Sequence, residues 1–181
     1  MTKNKRRTIY TIGHSTRKLE EFIRLLEKFE IKVLIDVRRF PTSRKFPHFK
    51  KETLENELHK RGIDYIWLGA QLGGKRSVGE IPEELSPWKN WGFKNYVVYC
   101  YTSDEWKKGF HELISIANKK QTVIMCAEKL PWRCHRWILS EILAFLGFEV
   151  IHIIDEDRTI KHKLSEKGKY LGELLKKKKF I

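Results

Sequence analysis

Two short clusters hold the most reactive side chains of the chain: Cys126-Ala127-Glu128 and, eight positions after the first cysteine, Cys134-His135-Arg136. A carboxylate, an imidazole and a guanidinium brought together can move protons and hold developing negative charge, the equipment of hydrolytic chemistry at a base or nucleotide. His14, within Gly13-His14-Ser15-Thr16, adds a ring whose ordinary pKa of about 6.5 suits a proton carrier. Asp36 and Arg38 close the apolar run Ile31 to Val37 and add a carboxylate and a cation. The candidate catalytic set is therefore His14, Asp36, Arg38, Glu128, His135 and Arg136.

A thiol enzyme centred on Cys126 is the alternative, because a cysteine ending a strand can act as a nucleophile when its pKa is lowered. The residues speak against an anion nest there. Pro131 removes one backbone donor, and Cys126 and Arg133 are separated by six residues, one more than a Cys-x5-Arg loop has. The charge of Glu128 is expected to raise the Cys126 pKa, which leaves Cys126 as a small core residue rather than the essential nucleophile. Cys126, Cys134 and His135, with His14 or His152, offer soft ligands but no Cys-x2-Cys pair, so neither a metal nor another cofactor is expected.

The segment 38–51 holds six cations and no acid, interleaved with aromatic rings. Arg39, Arg44, Lys45, Lys50 and Lys51 are candidate phosphate contacts, and Phe46 and Phe49 candidate platforms for unpaired bases. Gly73-Gly74-Lys75-Arg76 lacks the spacing of a phosphate-binding P-loop and reads as a mobile lid, whose Lys75 and Arg76 join the candidate nucleic-acid contacts. The expected partner is single-stranded or distorted DNA or RNA, and the expected activity is base or nucleotide processing of the kind DNA repair uses. A noncatalytic nucleic-acid-binding module is the third class.

The elements that must position these groups alternate. Arg7 to Ile12, Ile31 to Val37, Ile63 to Leu68, Thr122 to Met125 and Phe148 to Ile154 read as strands. Helical spacing runs from Leu19 to Phe29, from Thr53 to Arg61, through much of Phe93 to Ala117 and from Trp132 to Leu146, and residues 69–94 read as a long loop. This order predicts a single α/β domain over residues 8–157, an open, mostly parallel sheet of about five strands with flanking helices. Residues 158–181 follow as a basic helix or tail. In such sheets ligands sit beyond the carboxyl ends of the strands, so His14, Asp36, Glu128 and His135 are expected to line one pocket.

The ordered motifs Thr11-Ile12-Gly13-His14-Ser15-Thr16, Asp36-Val37-Arg38 with Pro41 and Ser43, Leu72-Gly73-Gly74, Cys126-Ala127-Glu128, Cys134-His135-Arg136 and Val150-Ile151-His152-Ile153 resemble the family known as domain of unknown function 488. The resemblance runs from about Ile9 to Ile154 and implies one α/β domain with the site already named. It implies no reaction. A weaker similarity joins Leu34 to Arg38 and the Cys126 loop to the rhodanese type, and by that analogy Cys126 would carry a persulfide or a phosphoryl group.

Charge and composition narrow the classes further. The chain has 181 residues, 41% of them hydrophobic, which is enough for one sizeable core, and a net charge of +14. That charge is concentrated at the ends and in segment 38–51: residues 1–7 hold four basic side chains, and residues 158–181 hold nine against two acids. Three cysteines are too few for a disulfide scaffold, and no apolar run reaches the roughly 18 residues of a membrane span, so a cytoplasmic protein is expected.

Overall fold

The computed structural model describes residues 7–85 and 87–181. The basic N-terminal stretch lies, Arg7 apart, outside the described residues. Six strands form one sheet: β1 (Thr8–Gly13), β2 (Val33–Asp36), β3 (Asp64–Trp67), β4 (Thr122–Cys126), β5 (Glu149–Asp155) and β6 (Arg158–Lys161). Their order across the sheet is β3-β2-β4-β1-β5-β6. The first five are parallel and β6 runs antiparallel to β5, so the sheet has one strand more than the sequence predicts.

Helices cover both faces. On one side lie α1 (Leu19–Lys28) and α2 (Lys51–His59), whose Phe22, Leu26, Leu54 and Leu58 meet Ile12, Leu34, Val123 and Met125 of the sheet. On the other lie α4 (Trp91–Thr102), α5 (Asp104–Ala117), α6 (Arg136–Phe145) and α7 (Glu166–Lys177), beside the single turn α3 (Gly69–Leu72). Their Val97, Phe110, Leu139 and Leu171 pack against Ile9, Ile35, Ile124 and Val150. The period of two along a strand decides which face each side chain joins. Along β4, Val123 and Met125 face α1 and α2, whereas Ile124 and Cys126 face α6.

Residues 158–181 form β6 and α7, which complete the sheet and pack on α6. The helical stretch predicted over Phe93 to Ala117 is two helices, because the Ser103 hydroxyl accepts from the Trp106 N–H and starts α5 afresh. Much of the predicted loop 69–94 is built into the body by α3 and by a 3-10 turn at Glu83–Leu85. Among the described residues, no helix is long and apolar enough to cross a membrane.

Candidate functional site

The carboxyl ends of β1, β2 and β4 are neighbours in the sheet, and the segments leaving them interlock. The His14 N–H donates to the Cys126 carbonyl and the Ser15 N–H to the Ala127 carbonyl, both at 2.9 Å. Gly13 makes this approach possible, since a Cβ there would lie 1.8 Å from the Glu128 carbonyl oxygen. Two adjoining clefts open above this junction, of about 760 and 790 Å³, with Arg38, Phe40, Ala127, Glu128 and Arg133 common to both. The first runs past His14 to Arg44, Lys45 and Arg158. Cys126, Cys134 and His135 line the second, with Tyr96 and Phe93 in its wall and Phe40 and Trp132 beside them.

The structure divides the predicted catalytic set. Asp36 is fully buried and accepts from the Arg38 N–H (3.0 Å), Nε (2.9 Å) and guanidinium NH2 group (2.6 Å) and from the Tyr65 hydroxyl (2.5 Å). With its oxygens filled it is no free base, and it lines neither cleft. Burial and the Asp36 charge push the Tyr65 phenol well up, so it stays a donor. Arg38 uses its remaining nitrogen on the Phe49 carbonyl (2.8 Å) and on His14 Nε2 (3.3 Å). His14 donates from Nδ1 to the Ser15 carbonyl and stacks on Phe49. Burial, then the Arg38 charge, lower its pKa to about 4, so it is neutral with both ring nitrogens engaged.

His135 donates from Nε2 to the Val37 carbonyl (3.1 Å), and burial lowers its pKa. Its ring lies so close to Gly74 that a Cβ there would be 2.7 Å from Nδ1. Glu128 is exposed on the rim shared by the two clefts. The expected common pocket is therefore met in part: His14 and Glu128 line the first cleft, Glu128 and His135 the second, and Asp36 lies beneath. The parallel pairing of β1 and β4, on which that expectation rests, is present.

Arg136 and the two thiols form the tightest group. Arg136 is 1% exposed and donates from Nε to Cys134 Sγ (3.2 Å), from NH1 to Thr11 Oγ1 (3.3 Å) and from NH2 to the Glu128 carbonyl. Among the described residues no carboxylate pairs with it directly; the path to one runs from Thr11 through His152 (2.7 Å) and His162 (3.0 Å) to Glu141 (3.4 Å). The two sulfurs lie within 4.8 Å of each other. The neighbouring Cys134 thiol, opposed by burial and aided by Arg136 and the peptide groups of Ala127 and Glu128, brings the Cys126 thiol down to about 7. Burial and the neighbouring sulfur push Cys134 well up. The expectation that Glu128 raises Cys126 is overturned: its peptide group helps to lower the thiol, while its carboxylate stands exposed on the rim.

The ligand atoms of Cys126, Cys134 and His135 lie within 4.8 Å of one another, close enough for a soft metal ion. The guanidinium hydrogen-bonded to Cys134 opposes a cation there, and His135 spends Nε2 on a carbonyl.

The chain's other features sort by exposure. Phe49 is fully buried between His14, His48 and Phe22 and is no base platform, which corrects the sequence expectation. Phe46 is half-buried, with Lys45 over its ring. Arg44, Lys45, Lys50 and Lys75 are exposed, whereas Lys51 lies over the Trp67 ring and Arg76 is spent on the Gly73 and Ala70 carbonyls and the Tyr99 face. Those Arg76 bonds, with Arg39 donating to the Lys75 carbonyl, tie down the segment expected as a lid. Sequence reasoning missed Phe40 (62% exposed) and Trp132 (41%), although Trp132-Arg133 stands inside the cysteine loop.

The family profile described as Domain of unknown function DUF488 matches residues 18–143. The chain belongs to the DUF488 family. The matched span carries β2, the basic segment, both thiols and Arg136, while β1 with His14 and the β5–β6 hairpin lie outside it. No curated protein and no solved structure matches the chain.

Proposed function

We propose that this DUF488 protein is a thiol-dependent enzyme in which Cys126 attacks a nucleotide unit of a single-stranded or distorted nucleic acid. One observation carries the reading: a fully buried guanidinium, Arg136, has no carboxylate against it among the described residues and donates to Cys134, which lines the second cleft together with Cys126. A buried cation without a counter-charge costs several kcal/mol, and a Cys126 thiolate would supply that charge where substrate arrives. The proton-transfer set fits less well, because Asp36 and His14 are saturated with hydrogen bonds.

The substrate class follows from the walls. Phe40 and Trp132 offer exposed rings beside Cys126, suited to stack on an unpaired base. Arg44, Lys45, Arg133 and Arg158 in the adjoining cleft suit phosphates one or two nucleotides away.

The test is protection. A single-stranded oligonucleotide should slow alkylation of Cys126 by iodoacetamide at low salt and lose that effect as salt rises. Binding that leaves the alkylation rate unchanged would place nucleic acid elsewhere, and no binding at low salt would remove it as substrate.

A further inference from the structure

We propose that Cys134 is a second catalytic thiol, which closes a disulfide with Cys126 once a hydroperoxide has oxidised the Cys126 sulfur to a sulfenic acid. The inference rests on the reading of Cys126 as the working thiol and adds peroxide reduction to its attack on a nucleotide unit.

The two sulfurs reach each other from independent segments. Cys126 ends β4 with its side chain on the α6 face, and Cys134 stands two residues before α6, after the 3-10 turn Pro131–Arg133. Their sulfurs lie within 4.8 Å of each other, and both line the second cleft. A disulfide needs its sulfurs at about 2.05 Å, so the thiols must close further. The seven residues between them contain no strand and no α-helix, and the Cys134 backbone is in the extended region that any residue adopts. Ala127 and Glu128 are held through their carbonyls by Ser15 and Arg136, so the closing movement falls on residues 129–134. Arg136 Nε, 3.2 Å from Cys134 Sγ, stabilises negative charge on that sulfur as it attacks. Cys100, the remaining thiol, is fully buried on α4 and lines neither cleft.

The steps balance with a hydroperoxide as oxidant. The Cys126 thiolate attacks one peroxide oxygen, the O–O bond breaks, and Cys126 sulfenic acid and an alcohol, or water, form with uptake of one proton. The Cys134 sulfur then attacks the Cys126 sulfur. The S–O bond breaks, the Cys134 proton leaves with the hydroxide as water, and the disulfide has lost two electrons to the peroxide. An external dithiol returns those electrons by two exchanges.

The experiment treats the full chain with hydrogen peroxide, blocks free thiols and digests with trypsin without reduction. Cleavage after Lys129 and Arg133 separates the two cysteines, so the bond appears as peptide 121–129 linked to peptide 134–136. The expected result is that linked pair, released by dithiothreitol, with Cys100 unmodified. In Cys134→Ser, Cys126 should accumulate as a sulfenic acid trapped by dimedone. A wild-type protein that stalls at the trapped sulfenic acid, with no linked pair, overturns the role of Cys134 and leaves Cys126 as the working thiol. No modification of Cys126 by peroxide in either protein overturns the inference, while alkylation of Cys126 by iodoacetamide in the same sample decides the reading of it as the working thiol. Should Cys134→Ser not fold, Cys134→Ala serves in its place, and the wild-type digest decides by itself.

Discussion

Asp36→Asn should destabilise the fold by about 3–5 kcal/mol, the usual cost of breaking one partner of a buried ion pair. Asp36 is fully buried and Arg38 6% exposed, so water cannot replace what is lost. Putting an amide nitrogen in place of Oδ2 removes the acceptor for the Arg38 NH2 group at 2.6 Å and for the Tyr65 hydroxyl at 2.5 Å. Charge-assisted bonds contribute about 1.5–3 kcal/mol each, and two of them account for the expected loss. The change also frees Arg38 from its place under His14 and Phe49. Urea denaturation at neutral pH measures it as a lower midpoint with unchanged slope. The apolar double variant Asp36→Leu with Arg38→Met should lose less than Asp36→Asn alone, because it strands no charge. Folded Asp36→Asn should keep a reactive Cys126. A loss of stability below about 1 kcal/mol combined with loss of Cys126 reactivity would refute the reasoning and restore Asp36 as a working carboxylate.

Removing the Arg136 charge by Arg136→Met should raise the pH midpoint of Cys126 alkylation by about one unit, since its positive charge helps to hold that thiol down; an unchanged midpoint in the folded variant would contradict it. Stability should fall as the pH drops from about 6.5 toward 4. The unfolded chain takes up protons there that His14, held at about 4, and His152, held at about 3, refuse while folded. Melting temperatures at about pH 7.5 and 5 test this, and the slope should lessen in a folded His152→Gln variant. Phe40→Ala and Trp132→Ala should each weaken single-strand binding by about 1–3 kcal/mol per stacked base, measured by fluorescence titration. Arg44→Ala with Lys45→Ala should lower the salt slope for single-strand binding by about 1.4 and leave Cys126 chemistry intact.

The sheet was legible because its central strands are apolar runs, each followed by a polar break, as at Val33–Asp36 and Thr122–Cys126. β6 was not, because Arg158–Lys161 is largely exposed on the sheet edge and carries no alternating pattern; only the turn at Glu156 and Asp157 hints at it. Positions at the strand ends led to the two clefts, since that rule depends on topology alone. Roles did not follow. Whether Asp36 is free or locked depends on Tyr65 and Arg38, and whether Phe49 is exposed depends on His14 and Phe22, contacts made only by the folded chain. The Cys126 pKa was misjudged for the same reason: Glu128 is near in sequence, but Cys134 and Arg136 are nearer in chemistry.

Central to the account is a Cys126 thiol that ionises near neutrality inside the folded protein. The most direct measurement is the rate of Cys126 alkylation as a function of pH, read by mass spectrometry beside Cys100 and Cys134 in the same sample. The account predicts a midpoint for Cys126 at about 7, with Cys100 and Cys134 unreactive over the same range. A Cys126 midpoint at or above about 8.5, the value of an ordinary free thiol, or no reaction until the protein unfolds, would contradict it.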